Sequence, residues 1–241
     1  MAFHDLQSFL NELQKRGQLK RVPAEVDPVL EITEVADRVS KMPAAGGKTA
    51  PATDPVHGGL GGHALLFEKV KGSSLPVVIN AYGSYERVCL ALGCESLEEL
   101  AGRVERLVTP ELPTTLLEKL KKLPELARLG NMMPKTVRSG ICQEIVETDK
   151  ADLGSLPVLQ CWPGDGGRFI TLGSTLTKDP QTGEPNLGLY RIQVMGRCQA
   201  AMHWQMHHDG ARHWRRYAAK GQPTPVAVIF GGDPVIAYAA S

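Results

Sequence analysis

The sequence lacks an excess of either charge, and it lacks any long apolar run. Lysine and arginine together number 27 and aspartate and glutamate number 26, which excludes the strongly basic surface of a typical nucleic-acid-binding domain. No apolar run approaches the ~18 residues that a membrane-spanning helix needs. The first residues, MAFHDLQSFL, are polar and amphipathic, unlike a secretory signal. We therefore expect a cytoplasmic protein of one large domain or two small ones.

Cysteine is scarce, and several common catalytic motifs are missing. The five cysteines are scattered and none forms a CxxC pair, so neither a disulfide framework nor a zinc ribbon is expected. The chain also has no GxGxxG or Walker phosphate-binding loop and no GxSxG nucleophile motif. Glycine and proline are abundant, with 25 and 17 residues, and they indicate many turns and short strands.

The N-terminal part predicts helices that alternate with strands. A first helix is expected between Asp5, as its N-cap, and Gly17, as its C-terminal stop. A short strand is expected at residues 19–22. A second helix is predicted with Asp27 as N-cap and Pro28 as its first residue. The apolar segments HALLFEKVKG and LPVVINAYG predict two more strands.

Further helices and one loop complete the N-terminal part. Ser84 and Ser96 are predicted N-caps, and Ser96 is followed by a glutamate at the spacing of a capping box. Residues 42–62 are rich in glycine, proline and alanine and predict a surface loop. Residues 113–129 are rich in leucine and lysine and predict a helix. A group of glycines and proline places a domain boundary near 130–140.

The C-terminal part predicts strands instead. QEIVE, RFITLGSTLTK, LGLYRIQVMG, QAAMHWQM and TPVAVIFGG are successive strand candidates, separated by turns such as Gly-Asp-Gly and DPQTGEPN. One helix is expected around 209–220. Several strands in succession favour an antiparallel barrel or sandwich.

Asn186 and Arg191 lie five residues apart in PNLGLYRIQV. Strand alternation puts Gly188 and Tyr190 on the face of Asn186, and Arg191 on the other face. The amide oxygen of Asn186 suits Mg²⁺ or Mn²⁺, and the guanidinium of Arg191 fits a carboxylate or phosphate through two hydrogen bonds. A simpler alternative is that Asn186 ends a turn and Arg191 pairs with a surface acid.

A histidine-rich segment, MHWQMHHDGARHW, follows. His203 and His207 have the spacing of a helical zinc pair, but the glutamate of HExxH is missing. One imidazole in an oxygen-rich shell would instead favour Mn²⁺ or Mg²⁺. The alternative is that these histidines are surface residues or hydrogen-bonded core residues. Trp204 could flank a planar ring or fill a core, and Thr171 could donate a hydroxyl or simply suit a strand.

Seven segments, in order along nearly the whole chain, resemble the UbiD family of 3-octaprenyl-4-hydroxybenzoate carboxy-lyase-like proteins. They are DLQSFLNELQKRGQLKRV, VDPVLEITEVADRV, ALLFEKVKG, LPVVINAYGSYERVCLALG, LPVLQCWPGDGGRFIT, NLGLYRIQV and MHWQMHHDG. The resemblance implies an α+β fold in which residues 1–135 form an N-terminal α/β domain. Residues 136–241 would form an incomplete antiparallel split β-barrel of flavin-binding type, with a further C-terminal domain beyond them.

The resemblance also implies a cofactor and a reaction. The cofactor is prenylated FMN, held through its phosphate by Mn²⁺ or Mg²⁺ and often by a nearby K⁺. A flavin prenyltransferase would supply it, and the full-length protein would be a homo-oligomer. The reaction is the reversible decarboxylation of an aromatic or α,β-unsaturated acid. A non-catalytic flavin-binding or assembly fragment, and an unrelated flavin reductase on a similar barrel, are the alternatives.

The resemblance assigns roles to individual positions. Asn186 and His207 match the metal ligands, and Arg191 matches the catalytic arginine that binds the substrate carboxylate. The positions that match cofactor contacts are Thr171, Leu189, Tyr190, Arg191, His203, Trp204, Gln205, His208 and Asp209. A third metal ligand and the catalytic acids are expected beyond Ser241. We therefore expect the 241-residue chain alone to bind flavin weakly and not to decarboxylate.

The substrate stays open at this point. A polyprenyl hydroxybenzoate of quinone synthesis, an aromatic acid of the menaquinone pathway and a smaller aromatic acid are all compatible with the resemblance. A polyprenyl substrate would bring the protein to the periphery of a membrane, although no basic amphipathic helix requires this.

Overall fold

The computed structural model describes residues 3–46, 59–109 and 136–241. The described residues between 1 and 95, together with those from 152 to 241, form one compact unit, and the described residues between 96 and 151 form a second. The predicted helix at 113–129 lies outside the described residues. None of the described helices is both long enough and apolar enough to cross a lipid bilayer.

The first unit contains five α-helices and nine short strands in its described part. The helices are α1 (Leu6–Lys15), α2 (Glu31–Ser40), α3 (Tyr85–Leu92), α5 (Asp209–Ala219) and α6 (Pro234–Ala239). The strands are β1 (Leu19–Val26), β2 (Ala64–Val70), β3 (Val77–Ile79), β4 (Phe169–Ile170), β5 (Ser174–Lys178), β6 (Pro185–Leu189), β7 (Ile192–Gly196), β8 (Gln199–Met202) and β9 (Ala227–Ile229). The second unit contains α4 (Leu97–Val108).

The N-terminal sheet has the order β1-β2-β3, with β1 parallel to β2 and β3 antiparallel to β2. Alternate side chains of β2 enter two different apolar clusters, because successive residues of a strand point to opposite faces. Leu66 packs with Phe9 and Leu13 of α1. Phe67 packs with Ile32 of α2. The central strand is therefore covered on both faces.

Three predicted helix starts are confirmed by their capping hydrogen bonds. The Asp5 carboxylate accepts the Ser8 N–H at 2.7 Å, and Gly17, with φ of +68°, follows the end of α1. The Ser84 and Ser96 hydroxyls accept the N–H groups three residues later, at 3.4 and 3.1 Å. Such caps satisfy donors that have no partner within the helix.

The predicted start of the second helix is wrong. The Asp27 carboxylate does not cap α2, because it accepts the Val29 N–H at 2.8 Å and the Lys71 ammonium at 3.1 Å. The Leu30 N–H donates to the Gln160 carbonyl, and Leu30 has a φ of +69°. Pairing with this distant segment and the positive φ of Leu30 keep the preceding residues out of the helix, so α2 begins only at Glu31.

The C-terminal part forms two further antiparallel sheets, β4-β7-β8 and β6-β5-β9. The prediction of a strand at QEIVE is wrong: a single 3₁₀ turn, Ile141–Gln143, precedes an exposed irregular segment. The long candidates RFITLGSTLTK and LGLYRIQVMG each divide into two strands. No sheet of the described residues closes into a barrel, and the flavin-binding split barrel stays a prediction.

Helix α5 confirms the helix predicted around 209–220 and is held by buried polar contacts. The Thr177 hydroxyl lies 3.0 Å from Nδ1 of His213, and His213 Nε2 lies 3.8 Å from Asp179. Arg216 also pairs with the Asp179 carboxylate. His213 is therefore a hydrogen-bonded core histidine, as one of the two alternatives for the histidine cluster supposed.

Candidate functional site

The segment PNLGLYRIQV crosses from one sheet to another at its centre. Strand β6 ends at Leu189 beside β5, and β7 begins at Ile192 between β4 and β8. Tyr190 and Arg191 occupy the junction between them. The Leu189 N–H donates to the Ala240 carbonyl at 2.6 Å, which anchors the end of β6 to α6. The junction therefore presents two candidate site residues, Tyr190 and Arg191, from a backbone that is fixed on both sides.

Tyr190 is buried, with 6% of its surface exposed, and its hydroxyl accepts hydrogen bonds from two other elements. Asn186 Nδ2 donates to this hydroxyl at 3.1 Å, and the Gly210 N–H donates to it at 3.3 Å. The prediction that Asn186, Gly188 and Tyr190 share a face is confirmed. Gly188 leaves the space that the Tyr190 ring crosses, since a Cβ there would collide with the phenol.

The histidine-rich segment returns to the same tyrosine. The His203 N–H donates to the Arg191 carbonyl at 2.9 Å, so the segment follows the junction directly. The Trp204 ring meets the Tyr190 ring edge-on at 6.0 Å, and the His208 ring lies 5.2 Å from it. The Gln205 N–H donates to Nδ1 of His208 at 3.2 Å. We call Asn186, Tyr190, Trp204 and His208 the Tyr190 cluster.

Arg191 is held by an acid and an aromatic ring. Its Nη2 lies 2.9 and 2.8 Å from the two carboxylate oxygens of Asp165, and its guanidinium carbon lies 3.9 Å above the Phe169 ring. The hydrogen bond from Arg191 and the N–H of Trp162 hold the pKa of the Asp165 carboxyl below its usual value, against an opposing effect of burial. The simpler alternative, an ion pair, is what the structure shows, although only 10% of the Asp165 side chain is exposed.

The remaining predicted residues lie outside these contacts. His207 is exposed on the turn between Trp204 and α5. Asp209 is the first residue of α5 and pairs with Arg212 at 3.1 Å. Thr171 is exposed and lines a separate cavity of about 390 Å³, together with Tyr82 and Gly231. The structure thus brings Asn186, Tyr190, Trp204 and His208 together but gives no contact between Thr171 and this cluster.

Two features bear on whether these residues fit a flavin and a metal. Because the amide nitrogen of Asn186 is used by Tyr190, its oxygen is the atom left for a cation, which is the donor that Mg²⁺ and Mn²⁺ prefer. The buried indole N–H of Trp204 has no hydrogen-bond partner among the described residues, and a buried donor of this kind needs an acceptor. No group of three His, Cys, Asp or Glu side chains in the described ranges could hold a metal by itself.

Three contributors to the site were not identified from the sequence as functional. Asp165 belongs to a Gly-Asp-Gly segment that predicts only a turn, and Phe169 to a segment that predicts only a strand. Gly210 packs so closely on the Trp204 ring that a Cβ would lie 2.8 Å from its nitrogen. Only Asp165 carried a signal in the sequence, because an acid in a glycine-rich turn can direct its carboxylate toward a cationic side chain of a neighbouring strand.

Comparisons with known proteins decide the family. Residues 10–107 match the 3-octaprenyl-4-hydroxybenzoate carboxy-lyase N-terminal domain, and residues 135–241 match the Rift-related domain of the same enzyme family. The chain belongs to the UbiD family. An uncharacterized protein of Aquifex aeolicus is 45% identical over 239 residues, which are 99% of this chain and 46% of that protein. The chain thus spans about half the length of the curated relatives it matches.

Solved structures of UbiD-class enzymes have a similar fold. Vanillic acid decarboxylase of Sedimentibacter hydroxybenzoicus, in its closed form, matches 99% of this chain and 45% of its own with a TM-score of 0.73 and 26% identity. An evolved dimeric form of HmfF from Pelotomaculum thermopropionicum, in complex with prFMN, matches 96% of this chain and 45% of its own with a TM-score of 0.68 and 25% identity. The UbiD-class fold therefore extends over nearly the whole chain.

Proposed function

We propose that this protein is a decarboxylase that reversibly releases CO₂ from an aromatic or α,β-unsaturated carboxylic acid with prenylated FMN as its cofactor. Membership of the UbiD family supports the reaction class. The similarity to HmfF in complex with prFMN supports the cofactor. The similarity to vanillic acid decarboxylase supports an aromatic acid as substrate.

The arrangement around Arg191 is the observation that carries the proposal. The Arg191 side chain is 39% exposed, and its guanidinium is stacked on Phe169 and contacts Asp165 through one nitrogen only. In the described part of the chain, its Nε and Nη1 have no hydrogen-bond partner, so either nitrogen can donate a hydrogen bond to a substrate carboxylate. Arg191 would orient the carboxylate and neutralise its charge until CO₂ leaves as a neutral molecule.

The Tyr190 cluster would hold the cofactor. Asn186 and His207 would hold Mn²⁺ or Mg²⁺, which together with K⁺ would neutralise the charge of the flavin phosphate. The rings of Tyr190, Trp204 and His208 would line the flavin, and Leu189, His203, Gln205, Asp209 and Thr171 would complete its surroundings. When bound, the prenylated ring supplies the electron-accepting centre that decarboxylation needs. The carbon that loses CO₂ then requires a proton, which we expect from an acid outside the residues named here.

Loss of Arg191 and loss of Asn186 should have different effects, and this difference tests the proposal. The native gene product is purified after co-expression with a flavin prenyltransferase, and the bound flavin is measured by absorbance and mass. Arg191→Ala should abolish CO₂ release from an aromatic acid while keeping flavin. Asn186→Ala should lose flavin first. Activity that survives Arg191→Ala, or flavin content unchanged in Asn186→Ala, would contradict the assigned roles.

A flavin-binding or assembly module without catalysis is the second candidate. It is favoured by the metal site, for which the described residues offer only the two predicted ligands and no acidic cluster. The same preparation distinguishes the two functions, because a module of this kind would retain flavin but release no CO₂ from any acid tested. NADH oxidation with ordinary FMN would instead indicate a flavin reductase.

The setting of the reaction is part of the proposal. Quinone synthesis is one candidate, since a polyprenyl hydroxybenzoate or a menaquinone-pathway acid is an aromatic acid of the required kind. The protein would work in the cytoplasm as a homo-oligomer and receive its cofactor from a flavin prenyltransferase. CO₂ release is measured from a prenylated hydroxybenzoate carried in lipid vesicles and from a free small aromatic acid. The comparison distinguishes these substrate classes.

A further inference from the structure

The loop Cys161–Gly167 contains an acid whose geometry is set before it meets Arg191. The Asp165 N–H donates to the Trp162 carbonyl at 3.0 Å, and the Asp165 carboxylate accepts the Trp162 N–H at 3.1 Å. These two bonds close a tight turn in which the acid is tied to its own backbone. The carboxylate therefore has little freedom to follow Arg191 if the arginine moves.

The same loop is attached to β7 at a second point. Gln193 Nε2 donates to the Gly166 carbonyl at 2.8 Å. The Val194 N–H donates to the Arg168 carbonyl at 2.9 Å, where the loop passes into β4. The backbone of the loop is thus fixed to the strand that follows Arg191, independently of the ion pair.

Arg191 is restrained on two sides by this arrangement. Asp165 contacts Nη2 from the loop, and Phe169 covers one face of the guanidinium at 3.9 Å. A lone arginine side chain would lose rotamer entropy on binding a ligand. That loss should be smaller here, because Asp165 and Phe169 restrain one nitrogen and the plane of the guanidinium.

We propose that Asp165 is a positioning residue, which fixes the Arg191 guanidinium through Nη2 so that an N–H group of Nη1 or Nε stays available to the substrate carboxylate. The inference rests on the carboxylate-binding role proposed above for Arg191. It assigns to the Gly-Asp-Gly turn a part in substrate recognition through Arg191. The competing possibility is that Asp165 occupies Arg191 and has to be displaced by the substrate, and the two predict opposite changes in affinity.

The orientation of Arg191 can be measured without cofactor or substrate. In the ¹⁵N-arginine-labelled chain, the Nε–H signal of Arg191 is assigned by its loss in Arg191→Lys. Asp165→Asn keeps an acceptor for the Trp162 N–H but removes the charge. It should speed exchange of the Arg191 Nε–H with water by about fivefold, the size expected for a partly exposed ion pair. Asp165→Glu should recover part of the slow exchange.

Gln193→Ala is the matched control for loop attachment. It removes the bond to Gly166 but leaves Asp165, Arg191 and Phe169 unchanged, so the Arg191 signal should stay as in the wild-type chain. Urea unfolding of each variant establishes that the fold is retained. An equal effect of Gln193→Ala and Asp165→Asn would overturn the proposal, since loop attachment and not the carboxylate would then hold the arginine.

Benzoate, an aromatic carboxylate, is the probe for recognition. Asp165→Asn should weaken benzoate binding by about fivefold, with Gln193→Ala as wild type. Tighter or unchanged binding in Asp165→Asn would overturn the positioning role. Benzoate binding that is unaffected by Arg191→Ala would instead refute the function proposed for Arg191. In that case the Nε–H exchange would still decide whether Asp165 orients the arginine.

Discussion

The N-terminal sheet and the Tyr190 cluster belong to one compact unit but are held together in different ways. Around β2, apolar side chains from α1 and α2 fill both faces of the sheet. Around Tyr190, hydrogen bonds and ring contacts join Asn186, Trp204, His208 and Gly210. Apolar burial contributes most to the free energy of folding, whereas a net hydrogen bond contributes about 1 kcal/mol. Stability and binding should therefore respond to mutations in different regions.

The largest effect is expected in the N-terminal sheet. Phe67 is fully buried in β2, and Phe67→Ala should lower the free energy of unfolding by about 3–5 kcal/mol, because it leaves a cavity in a packed core. The midpoint of urea unfolding measures this loss. Leu75→Ala removes an apolar side chain that is 47% exposed and should change stability by less than about 0.5 kcal/mol. Similar midpoints for the two variants would contradict the comparison.

A methyl group at Gly188 should separate an effect on stability from an effect on flavin binding. Its Cβ would collide with the Tyr190 ring, so Gly188→Ala should displace the phenol from Asn186 and cost about 1–3 kcal/mol of stability. Flavin content should fall further than stability alone explains. Gly196→Ala is the control, since a Cβ there would meet Gln199 only at 3.8 Å. Normal flavin content in Gly188→Ala would show that the position of Tyr190 does not matter for the cofactor.

Removal of a single oxygen should have a smaller effect on stability. Tyr190→Phe keeps the ring contacts but leaves the Asn186 amide and the Gly210 N–H without their acceptor, which should cost about 1 kcal/mol. Because the Asn186 amide is then free to rotate, binding of Mn²⁺ should weaken. Isothermal titration with Mn²⁺ in the presence of FMN compares the variant with the wild type. Equal affinity in the two proteins would argue against the orienting role of the hydroxyl.

Low pH should lower the stability of the folded protein, because Asp165 and Asp179 lose their charge when they are protonated. The pKa values of Asp165 and Asp179 lie below the usual value of 3.8, because Arg191 donates to the first and the Gln181 N–H to the second. A folded-state pKa below the unfolded value gives stabilisation that is complete above about pH 5 and is lost as the pH falls through the folded pKa. The urea midpoint should therefore decrease between pH 5 and pH 3, and less so in Asp165→Asn. A midpoint that rises on acidification would contradict this sign.

Local patterns in the sequence were sufficient for the parts of the fold that depend on neighbouring residues. Asp5, Ser84 and Ser96 cap helices because each side chain needs only an N–H three residues later. The shared face of Asn186 and Tyr190 follows from strand alternation alone. The pattern failed at Asp27, where pairing of Leu30 with Gln160 decides the start of α2. It failed again at QEIVE, where the β-branched pair Ile145 and Val146 finds no neighbouring strand in the described part of the chain.

The candidate site could be predicted only in part for the same reason. The segment from Asn186 to Arg191 and the histidine-rich segment were identified by residue type and by resemblance to the UbiD family. Asp165 was missed because its partner, Arg191, lies 26 residues further along the chain. Sequence spacing carries no information on which turn faces which strand. The metal, cofactor and catalytic roles of the individual residues remain predictions that the variants above can test.

The crossing of the backbone between two sheets at Tyr190 and Arg191 fixes the length of this segment. One inserted or deleted residue between Asn186 and Arg191 would place every later side chain of the strand on the opposite face of the sheet, since strand side chains alternate with a period of two. The tyrosine would then turn away from the asparagine, and the arginine away from its acid. Surface loops elsewhere can grow or shrink at little cost, but natural variants of this protein should tolerate replacement here far better than any change of length.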